Sequence, residues 1–184
     1  RLTKGLHMQF EQLLAGHLEL NVVDYMILPN LKMSGGDERC SFLNDQGRCS
    51  IHPIRPGFCR LFPLGRVYED RSFRYFLQVH ECLRENRTKV KVRKWIDTPD
   101  FKAYERFVAD WHYFLKELGE AMKDSGSQET MKAVNMYVLN RFYVTPYGED
   151  EDFYPQFYRR LEEAAAFAAS QGIRTGGQYG SENG

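Results

Sequence analysis

Leu2, Leu6, Phe10, Leu13 and Leu14 recur at helical spacing, with Lys4, Gln9, Glu11 and Gln12 on the other face, which predicts an amphipathic helix over residues 1–18. Gly16 weakens its end. His7 and His17 fall on or near the polar face, so both are expected to be solvated. Val22, Val23, Tyr25 and Ile27 favour a short strand, but Pro29 cannot donate to a ladder, so irregular chain is expected after it. Ser34 to Asp37 reads as a loop. Farther on, Val67 and Tyr68 lead into the polar turn Glu69-Asp70-Arg71-Ser72. Phe73, Tyr75, Leu77 and Val79 then alternate with Arg74, Gln78 and His80, the period of a half-buried strand. A β-hairpin over 66–80 is the expectation.

From Thr98 the pattern turns helical. Thr98 is a good cap and Pro99 suits the first helical position. Phe101, Tyr104, Phe107, Val108, Trp111, Leu115, Leu118 and Met122 make one apolar stripe. Residues 125–128 break the helix, and Ser125 with Gln128 fits a capping box for a second one carrying Met131, Val134, Val138 and Phe142. Thr145-Pro146-Tyr147-Gly148 ends it. Acidic residues 149–152 precede a last helix whose apolar face is Phe153, Phe157, Leu161, Ala164, Ala165 and Ala168, with Gly172 as its C-cap. The fold class expected is α+β, mostly α: an irregular cysteine-rich core with a short β-hairpin, followed by a helical C-terminal half. The organisation expected is a cysteine-rich unit over 1–96, a helical extension over 97–173 packed on it, and a flexible glycine-rich tail over 174–184.

Composition narrows the function. Lysine plus arginine equals aspartate plus glutamate at 25 each, which gives no footprint for nucleic acid or an anionic membrane. No apolar run approaches the roughly 18 residues of a membrane span. The basic run Arg84, Arg87, Lys89, Lys91, Arg93 and Lys94 suggests an anionic partner, or a solvated face offset by acids elsewhere.

The chemistry concentrates between Cys40 and Pro63, in C-S-F-L-N-D-Q-G-R-C-S-I-H-P-I-R-P-G-F-C-R-L-F-P. Cys40, Cys49 and Cys59 stand here and Cys82 follows, with 8, 9 and 22 residues in the successive gaps. Turn formers after each cysteine (Gly47, Pro53, Pro56-Gly57) fold the chain back, as a shared site requires. Spacing alone leaves three readings open: disulfides, buried core thiols, or one metal site. Phe42, Leu43, Ile51, Phe58, Leu61 and Phe62 are expected to pack around the sulfurs. Arg55 and Arg60 flank Cys59, where their charge would offset bound thiolates or bond loop carbonyls. His52 suits a supporting donor better than a ligand. His80, at the end of the strand that delivers Cys82, is a further ligand candidate.

The spaced pattern from Cys40 to Pro63 resembles the YkgJ-like cysteine-cluster family of zinc- or iron-chelating proteins. The resemblance covers roughly residues 1–95. The family's C-x-x-C-x-x-C-C segment is not in this chain, and the resemblance implies that such a segment precedes Arg1. It also implies that Cys40, Cys49, Cys59 and Cys82 bind metal. Thiolates are soft ligands that select zinc, iron or an iron–sulfur cluster. Zinc knuckles place about two to four residues between paired cysteines, closer than any pair here, so an iron–sulfur cluster is favoured over zinc. The reading is a cytoplasmic metal-binding protein with a possible protein partner. Two alternatives stand beside it: a cluster-dependent enzyme resembling flagellin lysine N-methylases, and a zinc-stapled interaction module.

Overall fold

The computed structural model describes residues 1–36, 38–79, 88–177 and 179. The fold is α+β and mostly α, with about half of the chain helical. The helical half is the foundation. Helix α5 (Phe101–Ser125) begins two residues later than Pro99 suggests, because the Asp100 carboxylate supplies the cap, accepting from the Ala103 amide at 2.9 Å. Ser127, not Ser125, caps α6 (Gln128–Leu139) by accepting from the Thr130 amide at 3.2 Å. The Ser125 hydroxyl instead donates back to the Met122 carbonyl at 2.9 Å. After α6 the chain widens into a π-turn over Asn140–Val144, and α7 spans Phe153–Ser170.

The three helices share one core. Phe114, Leu118 and Met122 meet Val134, Val138 and Phe142, and Phe157, Leu161, Ala164 and Ala168 close it from α7. Each large side chain buried there contributes about 1.5–3 kcal/mol. Phe114, outside the expected stripe, is fully buried, whereas Trp111 and Leu115 lie at the margin. Arg160 is buried without a carboxylate among its bonds. It donates to the carbonyls of Arg141 (2.6 Å), Thr145 (2.8 Å) and Pro146 (2.5 Å) and stacks on Tyr147, so the guanidinium caps carbonyls that the π-turn frees. Of the segment over 174–184, Gly177 and Tyr179 both donate to the Glu117 carboxylate.

The first half is a series of short elements resting on that core. The helix expected over 1–18 is two: α1 (Leu2–Leu6) and α2 (Phe10–Gly16). His7 adopts the left-handed conformation at φ 53° and ends α1, and a reciprocal Gln9–Gln12 capping box starts α2. Instead of one strand and loose chain, residues 18–31 form an antiparallel hairpin, β1 (Leu18–Val23) with β2 (Met26–Leu31). Its turn residues, Asp24 and Tyr25, are both left-handed (φ 47° and 65°), without the Gly or Asn that would mark such a turn in sequence. Pro29 sits inside β2 opposite Leu20. Two-residue strands β3 (Met33–Ser34) and β4 (Arg39–Cys40) pair next.

The hairpin expected over 66–80 forms as β5 (Leu64–Glu69) and β6 (Ser72–Leu77), turning at Asp70-Arg71. Phe73 and Tyr75 face inward as the alternation requires. Leu77 and Val79 do not: both are exposed, because the strand ends at Leu77 and the Gln78 amide turns to the Pro63 carbonyl at 2.9 Å. Helix α4 (Val92–Ile96) buries Ile96. Among the described residues no helix is long and apolar enough to cross a membrane.

The β1–β2 turn is where the two halves lock. Asn135 of α6 accepts from the Ile27 amide at 2.6 Å and donates to the Tyr25 carbonyl at 3.0 Å. Beside it, α5 approaches the turn so closely that a Cβ on Gly119 would overlap the Asp24 carbonyl oxygen. Gly→Ala inside a helix ordinarily gains about 1 kcal/mol. Here the clash is with backbone, and Gly119→Ala is expected to lower stability by a net of about 1–3 kcal/mol, read from denaturant unfolding. An unchanged or raised midpoint would contradict the close approach.

Candidate metal centre

Cys40 ends β4, where β3 pairing and the Ser41 amide bond to the Lys32 carbonyl (3.2 Å) fix the chain. From there the backbone makes a tight loop. The Asn44 side chain accepts from the amides of Gln46 (3.0 Å) and Arg48 (2.9 Å), an Asx-type turn, and Gly47 takes φ 71°. The loop returns so that Leu43 bridges Cys49, and both the amide and hydroxyl of Ser50 donate to the Phe42 carbonyl at 2.9 Å. Turn chemistry therefore brings the Cys49 segment back alongside the chain that leaves Cys40.

Cys59 arrives on a different element. A 3-10 turn (His52–Ile54) and Pro56 lead into the short helix α3 (Gly57–Leu61), which carries Cys59. Leu61 seats α3 against Ile96 and Tyr104. Gly57 lies over the Tyr104 hydroxyl, which also accepts from the Arg66 guanidinium at 2.6 Å. Arg66 in turn sits among the rings of Phe73, Tyr75 and Tyr104, 5.1–5.8 Å from their centroids. The β5–β6 hairpin and α5 thus form the floor under the Cys59 helix.

Cys40, Cys49 and Cys59 are all free, half-buried thiols, so the disulfide alternative is not formed among them. Burial pushes the Cys59 thiol above its ordinary range, and the neighbouring Cys40 and Cys49 sulfurs push it further in the same direction. Arg55 opposes both effects. Cys59 therefore lies within electrostatic reach of the other two sulfurs and of one guanidinium. Among the described residues, no three His, Cys, Asp or Glu side chains are grouped so as to hold a metal ion. Cys82 and His80 lie outside the described residues.

The other expected participants separate. Arg55 acts on the Cys59 thiol. Arg60 instead reaches across to α4 and donates to the Asp97 carbonyl at 2.8 Å. His52 is exposed at the start of the 3-10 turn. Phe42, Ile51 and Leu61 are buried as expected, but Leu43 and Phe62 are exposed and Phe58 is 80% exposed. Phe58 stands three positions before Leu61 in α3 and is left in water, although Leu61 meets Ile96 and Tyr104.

Two neighbours were not evident from sequence. His17 is not solvated: its ring stacks on Phe42 at 4.3 Å and its Nδ1 meets the Ser41 hydroxyl at 3.2 Å, one residue from Cys40. Its position just after α2 gave no pattern pointing to a residue more than twenty positions away. Arg1 donates to the Pro53 carbonyl at 3.1 Å, and burial, then Arg60 and Arg55, lower its pKa, so three guanidiniums gather on this side. Gly5 of α1 also rests on Ile54, which is how α1 covers the loop.

The raised Cys59 pKa has a direct consequence. A thiol whose pKa is raised holds less thiolate at a given pH, and the thiolate is the form that alkylates. In metal-free protein, the pH profile of Cys59 alkylation, followed by peptide mass spectrometry, is expected to lie above that of a free cysteine. Arg55→Ala should displace it further upward. A Cys59 profile at or below the free-thiol range would contradict the burial.

Searches of curated proteins and of solved structures find no match to this chain. Residues 9–94 match the family model CxxCxxCC, described as a putative zinc- or iron-chelating domain, and the matched span contains all four cysteines.

Proposed function

We propose that the chain is a cytoplasmic metal-binding protein of YkgJ-like type, in which Cys40, Cys49, Cys59 and Cys82 hold an iron–sulfur cluster in preference to zinc. The observation that carries this reading is the Cys59 thiol, which feels both Cys40 and Cys49 and is opposed by Arg55. The family match supports the general class, since its description is of zinc or iron chelation. The half-buried Cys59 thiol, whose pKa is raised by burial and by the neighbouring Cys40 and Cys49, disfavours its thiolate state unless a cation neutralises it. A bound metal supplies that cation, and Arg55 supplies part of the compensation. The donor set fits soft metal chemistry, because thiolates suit zinc, iron and iron–sulfur clusters. The spacing favours the cluster: the cysteines arrive singly, from a strand end, a turn and a short helix, and not as a close pair. The free thiols are not grouped as a finished site, so metal would draw these loops together and part of its binding free energy would appear as local folding.

The test is metal analysis of full-length protein made and purified without oxygen. Iron with acid-labile sulfide and a visible absorption band is expected, and Cys40→Ser, Cys49→Ser and Cys59→Ser should each lose most of it. Each variant should also become more sensitive to protease between Gly36 and Gly65. Stoichiometric zinc without iron or sulfide would overturn the cluster assignment. Full metal retention in all three variants would overturn the site itself.

A further inference from the structure

The Cys59 helix carries a second feature that metal binding does not use. Phe58 lies in α3 and Phe62 directly follows its last residue, and both project into solvent at 80% and 49% exposure. Trp95 of α4 lies beside Phe62: its indole N–H donates to the Phe62 carbonyl at 3.1 Å, yet Trp95 is 42% exposed. Three large aromatic residues are thus left in water on and directly after two short adjoining helices, and exposed apolar surface gathered in this way marks interaction sites.

Cations frame the aromatic residues. Lys91 caps α4, and Arg93 and Lys94 are exposed along it. Arg55 lies on the α3 side, close enough to act on the Cys59 thiol. Among the described residues none of these four is in an ion pair, although arginines elsewhere on the surface are paired with Glu69, Glu151 and Glu163. The chain as a whole is neutral, so this positive charge is a local concentration, not a general property. Asp97 and Asp100 follow directly after α4 in the chain.

We propose that this face docks an acidic peptide segment of a partner protein, one with an apolar side chain between its carboxylates. The apolar side chain would lie on Phe58, Phe62 and Trp95, and the carboxylates would meet Arg55, Lys91, Arg93 and Lys94. Aromatic residues and arginine are the residue types that concentrate binding energy at protein interfaces. A nucleic acid fits less well. Its phosphate backbone rewards a basic domain, whereas this chain has a pI near 7.1 and two aspartates, Asp97 and Asp100, directly after α4. The proposal does not depend on which metal, if any, the cysteines hold.

The probe is a fluorescently labelled twelve-residue peptide of alternating glutamate and leucine, followed by anisotropy with full-length protein at low salt. Binding should exceed that of the glutamine analogue by tenfold or more and weaken as salt rises. Phe58→Ala, and separately the combined Lys91→Glu, Arg93→Glu and Lys94→Glu variant, should each weaken it at least tenfold. All of these positions are exposed, and far-ultraviolet circular dichroism with metal analysis of each variant separates loss of docking from loss of fold or metal. Equal binding of the glutamine peptide, or unchanged affinity in both variants, overturns the proposal. So does tighter binding of a single-stranded oligouridylate, which would make the face a nucleic-acid site. Self-association abolished by the same variants would make it an interface between copies and would overturn it as well.

Discussion

The amide of Asn135 is the interaction on which the cysteine-bearing half rests. Among the described residues that half has no large core of its own: its elements run from two to seven residues, and its buried side chains fall into small groups. What gives it a fixed position is attachment to the helices. Asn135 bonds the Tyr25 carbonyl in the β1–β2 turn and the Ile27 amide just after it, and among the described residues of the first half Met26, just beyond that turn, is buried in the helical core. Losing the amide would take the Asn135 partner from the half-buried Ile27 N–H and from the Tyr25 carbonyl, at about 0.5–1.5 kcal/mol each. Leu18, at the start of β1, also packs in a small buried cluster with Leu139 of α6.

Cys59 is held by a second, independent support, in which α3 is wedged by Leu61 onto Ile96 and Tyr104 above the Arg66 stack. The sulfurs therefore come from two differently anchored segments. Between the anchors lie turns with few long-range bonds of their own, apart from those of Arg1 and α1 across 53–54. Rigid supports with a compliant span between them suit a site that closes when metal arrives. The electrostatics agree: the Cys59 thiol is partly desolvated and feels Cys40 and Cys49, and the charge that opposes both effects is the Arg55 guanidinium. The same short helix presents Cys59 on one side and the exposed Phe58 on another, so docking at that face and metal at the cysteines would share one element.

The helical half was legible because its signals are local. The stripes of α5 to α7 follow from spacing, and the errors at the starts of α5 and α6 are choices between adjacent capping residues, Thr98 or Asp100 and Ser125 or Ser127. The β5–β6 hairpin was legible because strict alternation flanks a four-residue polar turn. The β1–β2 hairpin was not. Asp24 tolerates the left-handed conformation but is followed by Tyr25, not by the glycine that would mark such a turn, and the helices that hold Tyr25 there are about a hundred residues away. The break at His7 has the same origin, a left-handed residue without glycine. Around the candidate site, the cysteines and the turns between them could be read directly. The stacking of His17 on Phe42, the reach of Arg60 to Asp97 and the exposure of Phe58 could not, because each depends on how distant segments are seated.

The central claim, that these cysteines share a metal, is tested most directly by X-ray absorption at the iron and zinc edges of full-length protein purified without oxygen. The account predicts an iron signal whose nearest shell is dominated by sulfur at about 2.3 Å, with a further iron scatterer beyond it. A nearest shell made only of nitrogen and oxygen at about 2.0–2.1 Å, at either edge, would contradict it.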